Sequence, residues 1–183
     1  MARTQESYND YEALPKMAYN CVKYLMDNNE LLFRLLKYND KDAWQLDSDH
    51  PNLTKVEKGD LIYSGGADDT SKRIFTSIGN DTAWTHEASI LRIAPLTINP
   101  SNYVVGKVTM AFEVYVHYKT IHLSNYQNKV DLIIQQLLKE LNGAEIGGIG
   151  RLSFDENGRN RVIRIGKVPY KGKALTMTNW EAN

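Results

Sequence analysis

The sequence predicts an α+β fold: N-terminal helices, then a largely antiparallel sheet with one long amphipathic helix packed on one face. Three observations predict it. Residues 107–121 alternate with period two, with Val108, Met110, Phe112, Val114, Val116 and Tyr118 on one face. Residues 124–141 carry Val130, Ile133, Ile134, Leu137, Leu138 and Leu141 at helical spacing. The order of helices, strands, helix and strands lacks the strict βα alternation of a parallel sheet.

Taken in order, residues 1–13 read as a flexible polar arm around Tyr8 and Tyr11, and residues 14–183 as a single domain. That domain is helical over 14–44, with a sheet-and-helix core over about 60–180. Pro15 permits a helix start, because its missing N–H has no partner there in any case. Met17, Cys21, Tyr24 and Leu25 follow at helical spacing. A second helix begins near Asp27, where Asp27 and Glu30 have capping-box spacing before Leu31, Leu32, Leu35 and Leu36. Residues 45–60 read as a surface connection, and short strands are expected over 61–63 and 73–78.

Ser89–Ile98 reads as a strand bent or placed at an edge by Pro95, followed by a turn at 99–102. The strand over 107–121 would span roughly 50 Å at about 3.3 Å per residue. That excess length suggests a bend or a ribbon that projects beyond its domain. Ser124 and Gln127 have the spacing of a capping box for the long helix, and Asn142-Gly143 supplies its stop. Arg151–Phe154 and Arg161–Ile165 read as strands joined by a hairpin turn at 155–158, before a last strand over 174–178.

Composition excludes several classes. With 183 residues, 42% hydrophobic, the chain can build a packed core. Its 22 basic and 22 acidic residues argue against a strongly basic nucleic-acid binder. No apolar run approaches a membrane span, and no signal-peptide stretch opens the chain. A single Cys21 excludes an internal disulfide and a cysteine zinc site, and fits a reducing compartment. No HExxH pair or metal-loop cluster occurs among His50, His86, His117 and His122. His117 and His122 read as surface or interface residues. The glycines from 143 to 150 follow a helix and precede a strand, the reverse of a phosphate cradle, so they read as a helix stop with close packing. Cys21 reads as a small buried hydrophobe. No nucleophile elbow surrounds a serine, and no catalytic residue, cofactor or metal is expected.

One charge feature stands out. Arg151–Lys173 holds seven cations against Asp155 and Glu156. Its core, Arg159, Arg161, Arg164 and Lys167, is either a solvated face balanced by nearby acids or a surface for a polyanion or acidic partner.

The C-terminal half resembles a known family. His117-Tyr118-Lys119 is followed by Ser124-Asn125-Tyr126-Gln127-Asn128-Lys129. A helix then ends in Leu141-Asn142-Gly143. After it come Ile146 to Leu152 and Tyr170 to Leu175. This order over roughly 88–180 is similar to that of tail-terminator (tail-completion) and related neck proteins of tailed bacteriophages. The resemblance implies a homo-oligomeric ring, usually hexameric, made in the host cytoplasm and built into the virion. Such a ring caps the tail tube, joins it to the head connector, and lets DNA pass through its lumen without sequence recognition. The basic residues Arg159, Arg161, Arg164 and Lys167 are then candidates to face that lumen. Tyr103, Tyr115 and Ile121, along the long strand and its turn, are candidates for the subunit interface. The alternatives are another neck or head–tail connector ring, a nucleotide- or nucleic-acid-handling enzyme, and a free-standing binding domain.

Overall fold

A computed structural model describes residues 16–65, 70–76, 86–100, 106–154, 161–166 and 168–180. Helix α1 (Met17–Asn28) buries Met17, Ala18, Cys21, Val22 and Leu25 along one stripe. The backbone turns extended at Asn29, whose side chain accepts the Leu32 N–H at 2.8 Å and caps α2 (Glu30–Lys37). The expected Asp27–Glu30 box does not form, because Asp27 is still inside α1 and pairs with Lys55 at 3.1 Å.

Helix α3 (Lys55–Asp60) lies where the sequence predicts a surface connection. Its signal is the capping box of Thr54 and Glu57, with Glu57 Oε2 accepting the Thr54 N–H at 2.8 Å. A hydrogen bond from Lys37, joined by those from Thr54, pushes the Glu57 carboxyl down to about 2. Gly59 reads as a breaker in isolation. The tertiary anchor is Lys58, which is buried and donates to Met26 O and Glu30.

Among the described residues the sheet has seven strands in the order β1-β2-β3-β7-β5-β4, with β6 also on β7. They are β1 (Ile74–Phe75), β2 (Ser89–Pro100), β3 (Gly106–His117), β4 (Glu145–Ile146), β5 (Gly150–Ser153), β6 (Val162–Ile165) and β7 (Tyr170–Trp180). Among these seven strands only the β1–β2 pairing is parallel. The 61–63 segment contributes a single bridge, Ile62 to Ile74, rather than a strand. β2 and β3 pair from Ser89↔Val116 to Pro100↔Gly106, with an irregularity between Pro95 and Thr97. The β7 ladder joins β3 only from Thr109 onward; at the Gly106–Val108 end the ladder partner is β2, and Val108 N–H donates to the Asn179 side chain of β7 at 2.7 Å.

β3 stops at His117, where a 3-10 turn (Tyr118–Thr120) bends the chain. It is therefore shorter than the 107–121 strand expected. Helix α4 (Lys129–Leu141) buries Val130, Ile133, Ile134, Leu137 and Leu141. These join Leu91, Ile93, Met110, Phe112, Val114, Leu175 and Met177 from one face of the sheet in the main core, with the stripes of α1 and α2. The cap of α4 is Asn128, which accepts the Val130 N–H at 2.9 Å. Ser124 instead accepts the Trp44 indole N–H at 3.0 Å. Gly143 has φ +84°, the left-handed stop. The fold is thus α+β as predicted, with the helices gathered on one face.

Candidate functional site

β7 is the central strand of the C-terminal half, and its outer edge is shared. Arg151–Ser153 pair with Trp180–Thr178, and Val162–Ile165 pair with Leu175–Gly172, both antiparallel. β5 and β6 therefore run end to end along one strand. They do not pair with each other as the two arms of a hairpin, and the turn expected at 155–158 lies outside the described residues. A tight turn joins β4 and β5 at Gly147 and Gly148. The helix stop is where it was expected, but a Cβ at Gly147 or Gly150 would meet nothing within 4 Å, so those glycines serve turn conformation (Gly148 and Gly150 at positive φ) rather than the close packing expected.

Close approach also fixes the register of β7 on β3. A Cβ at Gly172 would lie 2.1 Å from the Val114 carbonyl oxygen, so only glycine fits.

β6 forms because Val162, Ile163 and Ile165 suit a pleated strand. It is locked to β7 beyond its end, where Arg161 N–H donates to Thr176 Oγ1 at 3.0 Å and Thr176 N–H donates to Arg161 O at 3.1 Å. Its other edge pairs with nothing among the described residues. Val162 is 37% exposed and Ile163 46%, so the edge is apolar as well as open.

Beside this edge, at the N-terminal end of α4, lies a groove of about 410 Å³. Arg164, Lys171, Lys173 and His122 bring basic groups to its lining, and Asp131 is the one carboxylate among the lining residues. Asp131 is paired to Lys173. Arg164 sits opposite Lys173 in the register and, like Lys171, is exposed. The groove is therefore cationic: three permanent cations face one carboxylate that is already engaged. The sequence signal was Lys171-Gly172-Lys173, whose spacing of two puts both ammonium groups on one strand face.

The sheet face opposite the helices carries a polar cluster. Arg92 lies 3.7 Å from Glu113, its partner across β2–β3, and the Tyr115 hydroxyl donates to Glu113 at 3.1 Å. Burial, then the neighbouring Glu113 carboxylate, pushes the Tyr115 phenol above its ordinary value. Tyr115 is half-buried on this face.

Of the other residues singled out by sequence, Arg161 and Arg164 are exposed at the β6 edge. Arg159, Lys167 and Tyr103 lie outside the described residues. Ile121 is past the end of β3 and 6% exposed, packed in the main core of its own chain, so it is not on an outer strand face. His117 is also buried, edge-on to Tyr170 with ring centroids 5.5 Å apart, which corrects the expected surface position. Burial pushes the Cys21 thiol up to about 12, which leaves it inert as a nucleophile. Among the described residues no cluster of three metal-ligating side chains occurs, and no helix is long and apolar enough to cross a membrane.

In comparison with known proteins, residues 29–179 match a family model described as YomW, a range that runs from the cap of α2 to the last rungs of β7. No curated protein and no solved structure matches.

Proposed function

The chain belongs to the YomW family. From its geometry and the resemblance of its C-terminal half we propose a structural role: a ring-forming virion protein at the head–tail junction of a tailed phage, the tail terminator. The observation that carries this reading is the open apolar edge of β6 beside a cationic groove. An exposed apolar strand edge invites pairing, and folded proteins normally shield it. A head-to-tail ring shields such an edge on every protomer by one repeated contact. The groove is lined by three cations, which suits a charged macromolecular neighbour. The resemblance of the 88–180 segment to tail terminators points the same way. In this reading the cations meet phosphates or acidic neighbours without reading sequence.

Light scattering on the purified chain, alone and beside purified tail tubes, tests the proposal. The expected species is a closed ring of about 125 kDa, six protomers of 20.9 kDa each. A monomer at every concentration and in both settings overturns it. DNA binding by the free protein should be weak and fall steeply with salt. Sequence-specific, salt-resistant binding would point instead to a regulator.

A further inference from the structure

We infer that the β6 edge and its groove take the acidic N-terminal residues 1–15 of a second copy of the chain as an added strand. The inference rests on the assembly reading above and names the occupant of the open edge.

Three features of the edge define what fits. Strand pairing with β7 uses one side of Val162–Ile165, which leaves alternate N–H and C=O groups facing outward for a further strand. By register Val162 and Arg164 share one face of the sheet and Ile163 and Ile165 the other, and of the four Arg164 and Ile165 line the groove. The groove offers Arg164 and Lys171 to an anion, since Asp131 is already held by Lys173. A fitting strand therefore carries carboxylates on one face and an apolar group on the other.

A second β6 does not fit. Pairing two β6 strands edge to edge would bring two copies of Arg164 into one small area, and like charges across strands repel. The N-terminal residues do fit. Residues 1–15 carry Glu6, Asp10 and Glu12 against Arg3 alone. In an extended chain Asp10 and Glu12 share one face and Tyr11 takes the other. Laid on β6, that pattern sets carboxylates beside Arg164 and a tyrosine ring beside Ile163. Fifteen residues reach roughly 50 Å when extended, several times the length of four-residue β6.

The test uses the full chain. One preparation carries Tyr11→Cys and a second Ile163→Cys; buried Cys21 does not compete. Mixed under mild oxidation, the two should form a disulfide between chains, with amide exchange at Val162–Ile165 slowed in the assembled species. Adding Arg164→Glu to the second preparation should lower the cross-linking rate by about tenfold or more, and high salt should lower it too. Asp10→Arg with Glu12→Arg in the first preparation should restore the rate against Arg164→Glu. Failure to cross-link, a rate indifferent to Arg164→Glu, or an edge protected only by a different acidic protein overturns the inference. So does a disulfide that forms only within one chain carrying both cysteines, which would assign the arm to its own edge. The two readings fail separately. Rings without the arm–edge disulfide leave assembly standing and remove this occupant. Arm–edge dimers that never close into rings do the reverse.

Discussion

Lys129 is the first residue of α4 and is fully buried, yet its ammonium donates to the Tyr38 carbonyl at 2.6 Å. Burial pushes its pKa down to about 7 from the ordinary 10.5. The sign of the linkage follows. Between about pH 7 and 10.5 the unfolded lysine holds a proton that the folded one has released, so stability rises with pH, by up to about 1.4 kcal/mol per unit. Lys129→Met should flatten that part of the stability curve, as read by urea unfolding across the range. His50 behaves oppositely. Burial pulls its pKa down, but the hydrogen bonds its ring N–H groups donate to Asp40 and Asp47, each at 3.0 Å, outweigh it and hold the imidazole above 6.5. The protonated ring thus contributes stability that is full below 6.5 and is lost as pH rises through the folded value. The loss of melting temperature on His50→Gln should be larger near about pH 5.5 than near about pH 8.5. Neither site was legible in the sequence. Each depends on partners brought together by the fold, and a lysine in a polar stretch gives no sign that it will be buried.

At the scale of elements, what was legible is what periodicity controls. The α4 stripe and the β3 alternation are where the sequence placed them, because burying a face requires a fixed spacing of apolar side chains. Leu137 is 0% exposed at the centre of that stripe, so Leu137→Ala should cost about 2–5 kcal/mol in chemical unfolding. Boundaries were less legible. Asn29 and Asn128 took the caps expected of Asp27 and Ser124, since several nearby polar side chains can serve and the path of the chain selects one. The end-to-end placement of β5 and β6 was hidden for a different reason: a turn signal reports local backbone preference, not which distant strand has a free edge. Gly172 carries the consequence. Gly172→Ala would drive a methyl group into the Val114 carbonyl and should cost about 1–3 kcal/mol or more by separating β7 from β3.

For the whole molecule, the sequence conveyed the class and the one-sided packing, because the element order and two amphipathic patterns suffice for those. The candidate site was legible only as a surplus of charge. Its cations are scattered over 151–173 in sequence, and it is the register of β6 on β7 that places Arg164 beside Lys173 and both beside Asp131 on α4. Ile121 shows the limit of strand extrapolation. A pattern that continues past His117 cannot reveal that the backbone has already turned, and the turn carries Ile121 from the expected outer face into the core.

The position of β7 in the sheet has a consequence for the order of synthesis. The last described strand of the chain is central, joining β3 to β5 and β6. Until it emerges, the β2–β3 hairpin has one long edge unpaired and the faces of Met110 and Phe112 incompletely covered. About 60 residues separate the end of β3 from the end of β7, so at about 5–20 residues per second the hairpin waits several seconds on the ribosome. Protease resistance of stalled nascent chains should therefore appear in one step, only after residue 180 has cleared the exit tunnel. Chains stalled with β7 still inside should be cut throughout the sheet, although every residue of α1, α2, α4 and β3 is already outside.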